Sequence, residues 1–182
     1  MLDQRVFAIG QLQATDNGQT VSIPIQCHHA VCYWLYSEAN GHAPTGNVFL
    51  RGTLSTPTAF LTGLARMGKP LNKEDLKSGY IDKGHVLIFT DKEFQAKHSC
   101  ITKTGSVIGG YNQLNWFSTP GIASNYTEHH YQDIRWVKPG VVRLNTESSR
   151  FCGLITEPSE GFLIAVPARQ ALLFFRGNFK PD

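Results

Sequence analysis

"IPIQCHHAVCYWLYSEANG", residues 23–41, changes period in its middle. Pro24 holds Ile23 extended, because the ring clashes with an α-conformation in the residue before it. After Gln26 the spacing becomes helical. Ala30, Val31, Trp34 and Leu35 share a face, and Asn40-Gly41 supplies a stop. Cys27 therefore stands at the N-terminus of a helix of about three turns. A metal site, a buried helix or a nucleophile would each fit that position. The rest of the chain decides among them.

Upstream, "RVFAIGQLQATDNGQTVSIPIQ" places two extended runs around Asp16-Asn17-Gly18, a strong hairpin signal. Downstream, residues 42–57 read as a loop with one short strand, "NVFLRG". "PTAFLTGLARMG" reads as a helix starting near Thr56 and Pro57 and ended by Gly68. "NKEDLKSG" reads as a short third helix between Asn72 and Gly79. From Gly84 the period is two: "HVLIFT", "KHSCITK" and "SVIGGYNQ" are strands joined by polar turns. Beyond Pro120, "HHYQDIRWV", "VVRLN", "FCGLIT", "GFLIAVPA" and "ALLFFRG" extend the β reading, punctuated by Pro139-Gly140, Pro158 and Gly161. A helical first half followed by an antiparallel β half makes the class α+β.

The 182 residues suit one domain, 1–182, with enough chain for a real core. A net charge of +3, from 17 basic and 14 acidic side chains scattered along the chain, argues against nucleic acid. The opening "MLDQRVFAIGQLQ" lacks the basic and apolar regions of a Sec signal. No run reaches the roughly 18 apolar residues of a membrane helix. The expectation is a soluble chain made in the cytoplasm, with no membrane partner, unless it is secreted or injected by a machine that reads no N-terminal signal or is a module of a larger protein. Cys27, Cys32, Cys100 and Cys152 contain no C-x-x-C pair and read as free thiols.

A thiol attacks only as thiolate, and a helix N-terminus favours the thiolate through unpaired N–H groups. An imidazole completes the activation, and a third polar group holds that imidazole in its productive tautomer. "KHSCITKTGSVIGGYNQLNWF" supplies both. His98 lies on one strand, "TKTGS" turns, and Asn112 stands on the return strand as a cross-strand neighbour. Gln113 and Asn115 compete with Asn112, the latter because it precedes Trp116.

The alternatives are narrower. Cys32, between Val31 and Tyr33-Trp34, reads as core. Cys100 shares a strand face with His98 but has no helix dipole. A zinc site from Cys27, His28 or His29, Cys32 and His98 lacks the close ligand pairs such sites use. "EHHYQD" reads as an exposed edge. The glycines of "VIGGYN" suggest close approach by a substrate strand.

The order of a cysteine opening a helix, a "GHVLIF" strand, a histidine strand and an asparagine on the next resembles papain-like cysteine hydrolases. It is most similar to the compact bacterial branch of NlpC-type cell-wall peptidases and cysteine-dependent effector toxins. The resemblance covers about residues 20–120. The family's Gly-Asp-Val has His85 in the aspartate's place. Its oxyanion glutamine has no clean match, Gln26 being adjacent to Cys27 and Gln19 further back. The resemblance implies a papain-like fold, with the Cys27 helix packed on an antiparallel sheet. It implies a cysteine peptidase with catalytic Cys27, His98 and Asn112, working through a thioester without cofactor or metal. It further implies an antibacterial or host-directed toxin acting on a protein or peptide, with a cognate immunity protein as inhibitor. A peptidoglycan amidase or endopeptidase, or a glutamine deamidase, would use the same triad. A β-rich binding module with structural Cys and His is the non-enzymatic alternative.

Overall fold

The computed structural model describes residues 11–24, 26–77, 84–104, 107–112, 125–130, 134–144 and 160–179. The chain opens with the expected hairpin, β1 (Gln11–Asp16) on β2 (Gln19–Pro24). Asn17 and Gly18 turn it with φ of 51° and 76°, the left-handed pair that a two-residue hairpin loop requires. Helix α1 follows at Cys27–Asn40. Gly41, at φ 74°, ends it and donates its N–H to the Ser37 carbonyl.

Helix α2 (Gly46–Leu50) replaces the strand expected for "NVFLRG". The hairpin overrides the β-propensity of Val48 and Phe49. A Cβ on Gly46 would run into the Gln13 carbonyl, and the Asn47 amide bridges the Thr15 backbone N–H and C=O. A 3₁₀ turn (Gly52–Ser55) leads to α3 (Pro57–Ala65), which starts at the expected proline. A two-residue strand β3 (Lys69–Pro70) and α4 (Lys73–Lys77) come next. Asn72 stands directly before α4, and the Asp75 backbone N–H donates to its carbonyl at 3.0 Å. The Asp75 carboxylate accepts the Asn72 N–H at 2.8 Å.

The sheet is antiparallel: β4 (Val86–Asp91), β5 (Ala96–Thr104), β6 (Val107–Asn112), β7 (Asn125–His130), β8 (Trp136–Lys138), β9 (Val141–Arg143) and β10 (Glu160–Val166). Its order is β7-β6-β5-β4-β10-β9-β8, with β3 also paired to β10. "HHYQDIRWV" is therefore not one strand: it spans the end of β7 and the start of β8. "FCGLIT" lies outside the described residues. β7 fills the free edge of β6, pairing Gly109 with Glu128 and Gly110 with Thr127, so no substrate strand adds there. As expected, "EHH" lies on the edge strand of the sheet.

The last correction concerns "ALLFFRG", which belongs to helix α5 (Ala168–Asn178). The chain is thus α+β with a helix after its sheet as well as before it. Pro167 closes β10 and caps α5, its carbonyl accepting the Ala171 N–H at 3.0 Å. Ala171 and Phe175, one turn apart, are buried, while Leu173 is 59% exposed. A strand would have put Leu173 and Phe175 on the same face. Phe175→Ala should therefore cost about 3–5 kcal/mol and Leu173→Ala within about 0.5 kcal/mol. Urea unfolding of the two variants checks this, and equal losses would contradict the helix.

Two cores sandwich the sheet. On one face Val86, Ile88, Ile101, Ile164 and Val166 meet α1, α3 and α5 through Trp34, Leu35, Phe60, Leu61 and Phe175. On the other, Leu87, Phe89, Cys100, Leu163 and Ala165 pack with Leu71, Leu76, Val142 and Leu144. Successive residues of β4 and β10 alternate between them, so 86–89 and 162–166 are continuous apolar runs. Among the described residues no helix is long and apolar enough to cross a membrane.

Candidate active site

Cys27 is the first residue of α1, and α1 lies across β5 and β6. The register explains where its thiol falls. Thr102 turns both backbone groups toward the β4 side, donating to the His85 carbonyl at 3.0 Å and accepting from the Gly84 N–H at 2.8 Å. Alternation along β5 then turns the Ser99 N–H toward β6. The described β5–β6 pairing, however, begins only at Ile101, opposite Gly109. At Ser99 that N–H donates to the Cys27 sulfur instead. The helix start occupies the place in the ladder that β6 leaves.

In that gap the thiol meets His98. Burial by itself would raise the Cys27 pKa. The charge of the His98 imidazole, a hydrogen bond from that ring, and the N–H groups of Ser99 and His28 together outweigh it. The net direction is down, toward thiolate. Cys27 is nevertheless part-exposed, while His98 is 2% exposed and lies against Phe89, ring centroids 5.8 Å apart. Cys32 is fully buried, and burial followed by the nearby Cys27 charge raises its pKa, as befits a core thiol. Cys100 is buried across from Leu87, two residues along β5 from His98. Cys152 lies outside the described residues.

Asn112 ends β6. The described β5–β6 pairing stops at Ile101–Gly109, so it does not set Asn112 opposite His98; Asn112 pairs instead with Asn125 of β7. The Asn112 side chain lies outside the described residues, as do Gln113 and Asn115. Gln19 opens β2 at the turn of the hairpin, opposite Asp16 and exposed. Gln26 caps α1 directly before the thiol.

The adjacent histidines each make a hydrogen bond through Nδ1. His29 Nδ1 accepts the Gln26 N–H at 3.3 Å, capping the helix. His28 Nδ1 meets Ser99 Oγ at 2.7 Å, both side chains buried. Sequence reasoning missed this pair; a serine within the apolar strand "HSCIT" was the one available signal, since a buried hydroxyl needs a partner. Among the described residues no group of three His, Cys, Asp or Glu side chains converges as metal ligands.

Burial lowers the His28 pKa from 6.5 to about 4; burial, then the nearby His28 charge, lowers His29 to about 4. Both rings are thus neutral when folded, whereas the unfolded chain protonates them below 6.5. Their contribution to stability is complete above pH 6.5 and is lost as pH falls toward 4. For His28 that gap is worth about 3 kcal/mol. The urea midpoint should fall steadily between pH 7 and pH 4.5. A flat midpoint would mean that the folded protein accepts these protons freely.

A comparison with protein-family models, curated proteins and solved structures returns no match for this chain.

Proposed function

We propose that the chain is a cysteine-dependent amide hydrolase, with a papain-like arrangement of helix and sheet. One observation carries the reading: the thiol at the start of α1 receives the His98 imidazole and two backbone N–H groups, which together hold it toward thiolate. Cys27 attacks the amide carbonyl, and the carbonyl oxygen becomes an oxyanion facing the helix N-terminus, where the Cys27 N–H is a donor. His98 passes its proton to the leaving amine, giving a thioester. Water, deprotonated by His98, then releases the acid and the thiol. Asn112 orients the His98 ring. No step calls for a metal or cofactor.

The substrate class follows the resemblance: a protein or peptide, cut by an effector toxin whose producer makes an immunity protein. Expression in a bacterium, directed to the cytosol or the periplasm, compares the wild type with Cys27→Ala. New protein termini and growth arrest with the wild type alone are expected in one compartment. Periplasmic arrest with released muropeptides would move the substrate to peptidoglycan. Deamidated glutamines without new termini would make the enzyme a deamidase. Identical growth, termini and masses for both chains would leave a binding module.

A further inference from the structure

The Cys27 sulfur accepts two backbone N–H groups, from His28 and Ser99. Those are the two residues whose side chains hold each other, His28 Nδ1 to Ser99 Oγ at 2.7 Å, across 71 residues of sequence. Each residue thus aims its backbone at the thiol and its side chain at the other. Ser99 is 0% and His28 8% exposed, so the bond is made out of water.

Stability is a poor reason for such a pair. Two apolar side chains of the same shape would avoid desolvating a hydroxyl and an imidazole, at little or no net loss. What a hydrogen bond adds is direction: it fixes both the distance and the angle between its partners, where apolar contacts allow sliding. The apolar contacts of α1 with the sheet run through aliphatic and aromatic groups, among them Val31, Leu35, Ile88 and Ile101. Sliding of α1 by a fraction of an ångström would misalign both N–H groups and the His98 ring at once.

We propose that His28 and Ser99 form a clamp between α1 and β5 that positions the Cys27 thiol for ionisation. The clamp rests on the reading of Cys27 as nucleophile. His28 and Ser99 are positioning residues, since their side chains act on the thiol only through the alignment they impose. Because the His28 ring stays neutral, the clamp brings no second positive charge to the helix start.

The rate of Cys27 alkylation by iodoacetamide, followed by peptide mapping from pH 5 to pH 10, reads the thiolate fraction directly. In the wild type Cys27 should label at pH 6 ahead of Cys32 and Cys100. Ser99→Ala keeps the backbone N–H but releases the clamp. It should slow labelling roughly tenfold at pH 6, a shift of about one pH unit, and leave the rate at pH 10 unchanged. His28→Phe should do the same, and the double variant should be no slower than either single one. His28→Asn restores a polar amide group near the Nδ1 position and should recover most of the rate. Thermal unfolding of each variant identifies any that fail to fold. Ser99→Ala and His28→Asn are the mild changes, and either one suffices for the test. A profile unmoved in Ser99→Ala, or slowed equally at pH 6 and pH 10, would reduce the pair to packing while leaving the nucleophile intact. An ordinary thiol titration in the wild type would remove nucleophile and clamp together.

Discussion

Replacing His98 by alanine is expected to silence Cys27 beyond the loss of a base. The largest influence on that thiol is burial, which raises its pKa, and His98 leads the opposing ones. Without the ring the burial remains, so the thiol should titrate at or above the ordinary value of 9.0. A thiol of that pKa is ionised to roughly one part in a thousand at pH 6. Alkylation at pH 6 should therefore fall further than the roughly tenfold expected of Ser99→Ala. Turnover, once a substrate is in hand, should fall nearly as far as in Cys27→Ala. Asn112→Ala should lose less, because it loosens the imidazole without removing it, and Asn112→Asp should retain more. Adding Asn112→Ala to His98→Ala should change little, since residues acting as a unit are not additive. A zinc site would behave otherwise, with metal bound, folding lost in EDTA and no role for Asn112. Labelling in His98→Ala as fast as in the wild type would break the proposed dyad.

Gly161→Ala should prevent the fold from forming. Gly161 sits in β10 between β4 and β9, opposite Asp91 on one side and Val142 on the other. A methyl group there would meet the Thr90 carbonyl and the Leu144 side chain. The carbonyl is backbone in the middle of the sheet and has no room to yield. A loss above about 4 kcal/mol is expected, seen as insoluble protein or as no cooperative urea transition. Gly177→Ala is the control. It lies in α5 with nothing within 4 Å of the added methyl, so it should be neutral or stabilise by up to about 1 kcal/mol. Native stability in Gly161→Ala would contradict the approach of β10 to β4.

The parts of this fold that sequence made legible are those with two agreeing local signals. Asn17-Gly18 combines turn chemistry with flanking alternation. α1 combines an extended Pro24 with a helical stripe and a glycine stop. "NVFLRG" and "ALLFFRG" lacked that agreement. Each is a short apolar run that fits a strand or a buried helix equally by composition, and β-branched and aromatic residues tilted both toward strand. Contacts far away in sequence decided them: the hairpin backbone over Gly46, and the aromatic cluster in which Phe175 stacks on Phe179 at 4.9 Å and meets Tyr36 edge-on. Within the site, Cys27 and His98 were legible because reactive groups at a helix start and on a strand are few. The His28–Ser99 bond was not, because nothing in a sequence says which buried polar residue finds which partner across the sheet.

The strand order has a consequence in time. β10 lies inside the sheet, between β4 and β9, yet of its strands it is the last that the ribosome makes. Until it emerges, β4 lacks one neighbour, the paired β8 and β9 have no strand to join, and α5 cannot close over α1. His28 and Ser99 must likewise wait for each other across 71 residues. Such non-local topology folds slowly, since loop closure comes before the contacts that reward it. A growing chain would therefore carry its thiol long before it carries the environment that ionises it. The cell making this protein would face an inert polypeptide for most of synthesis, and an activated cysteine only once the last strand has threaded home.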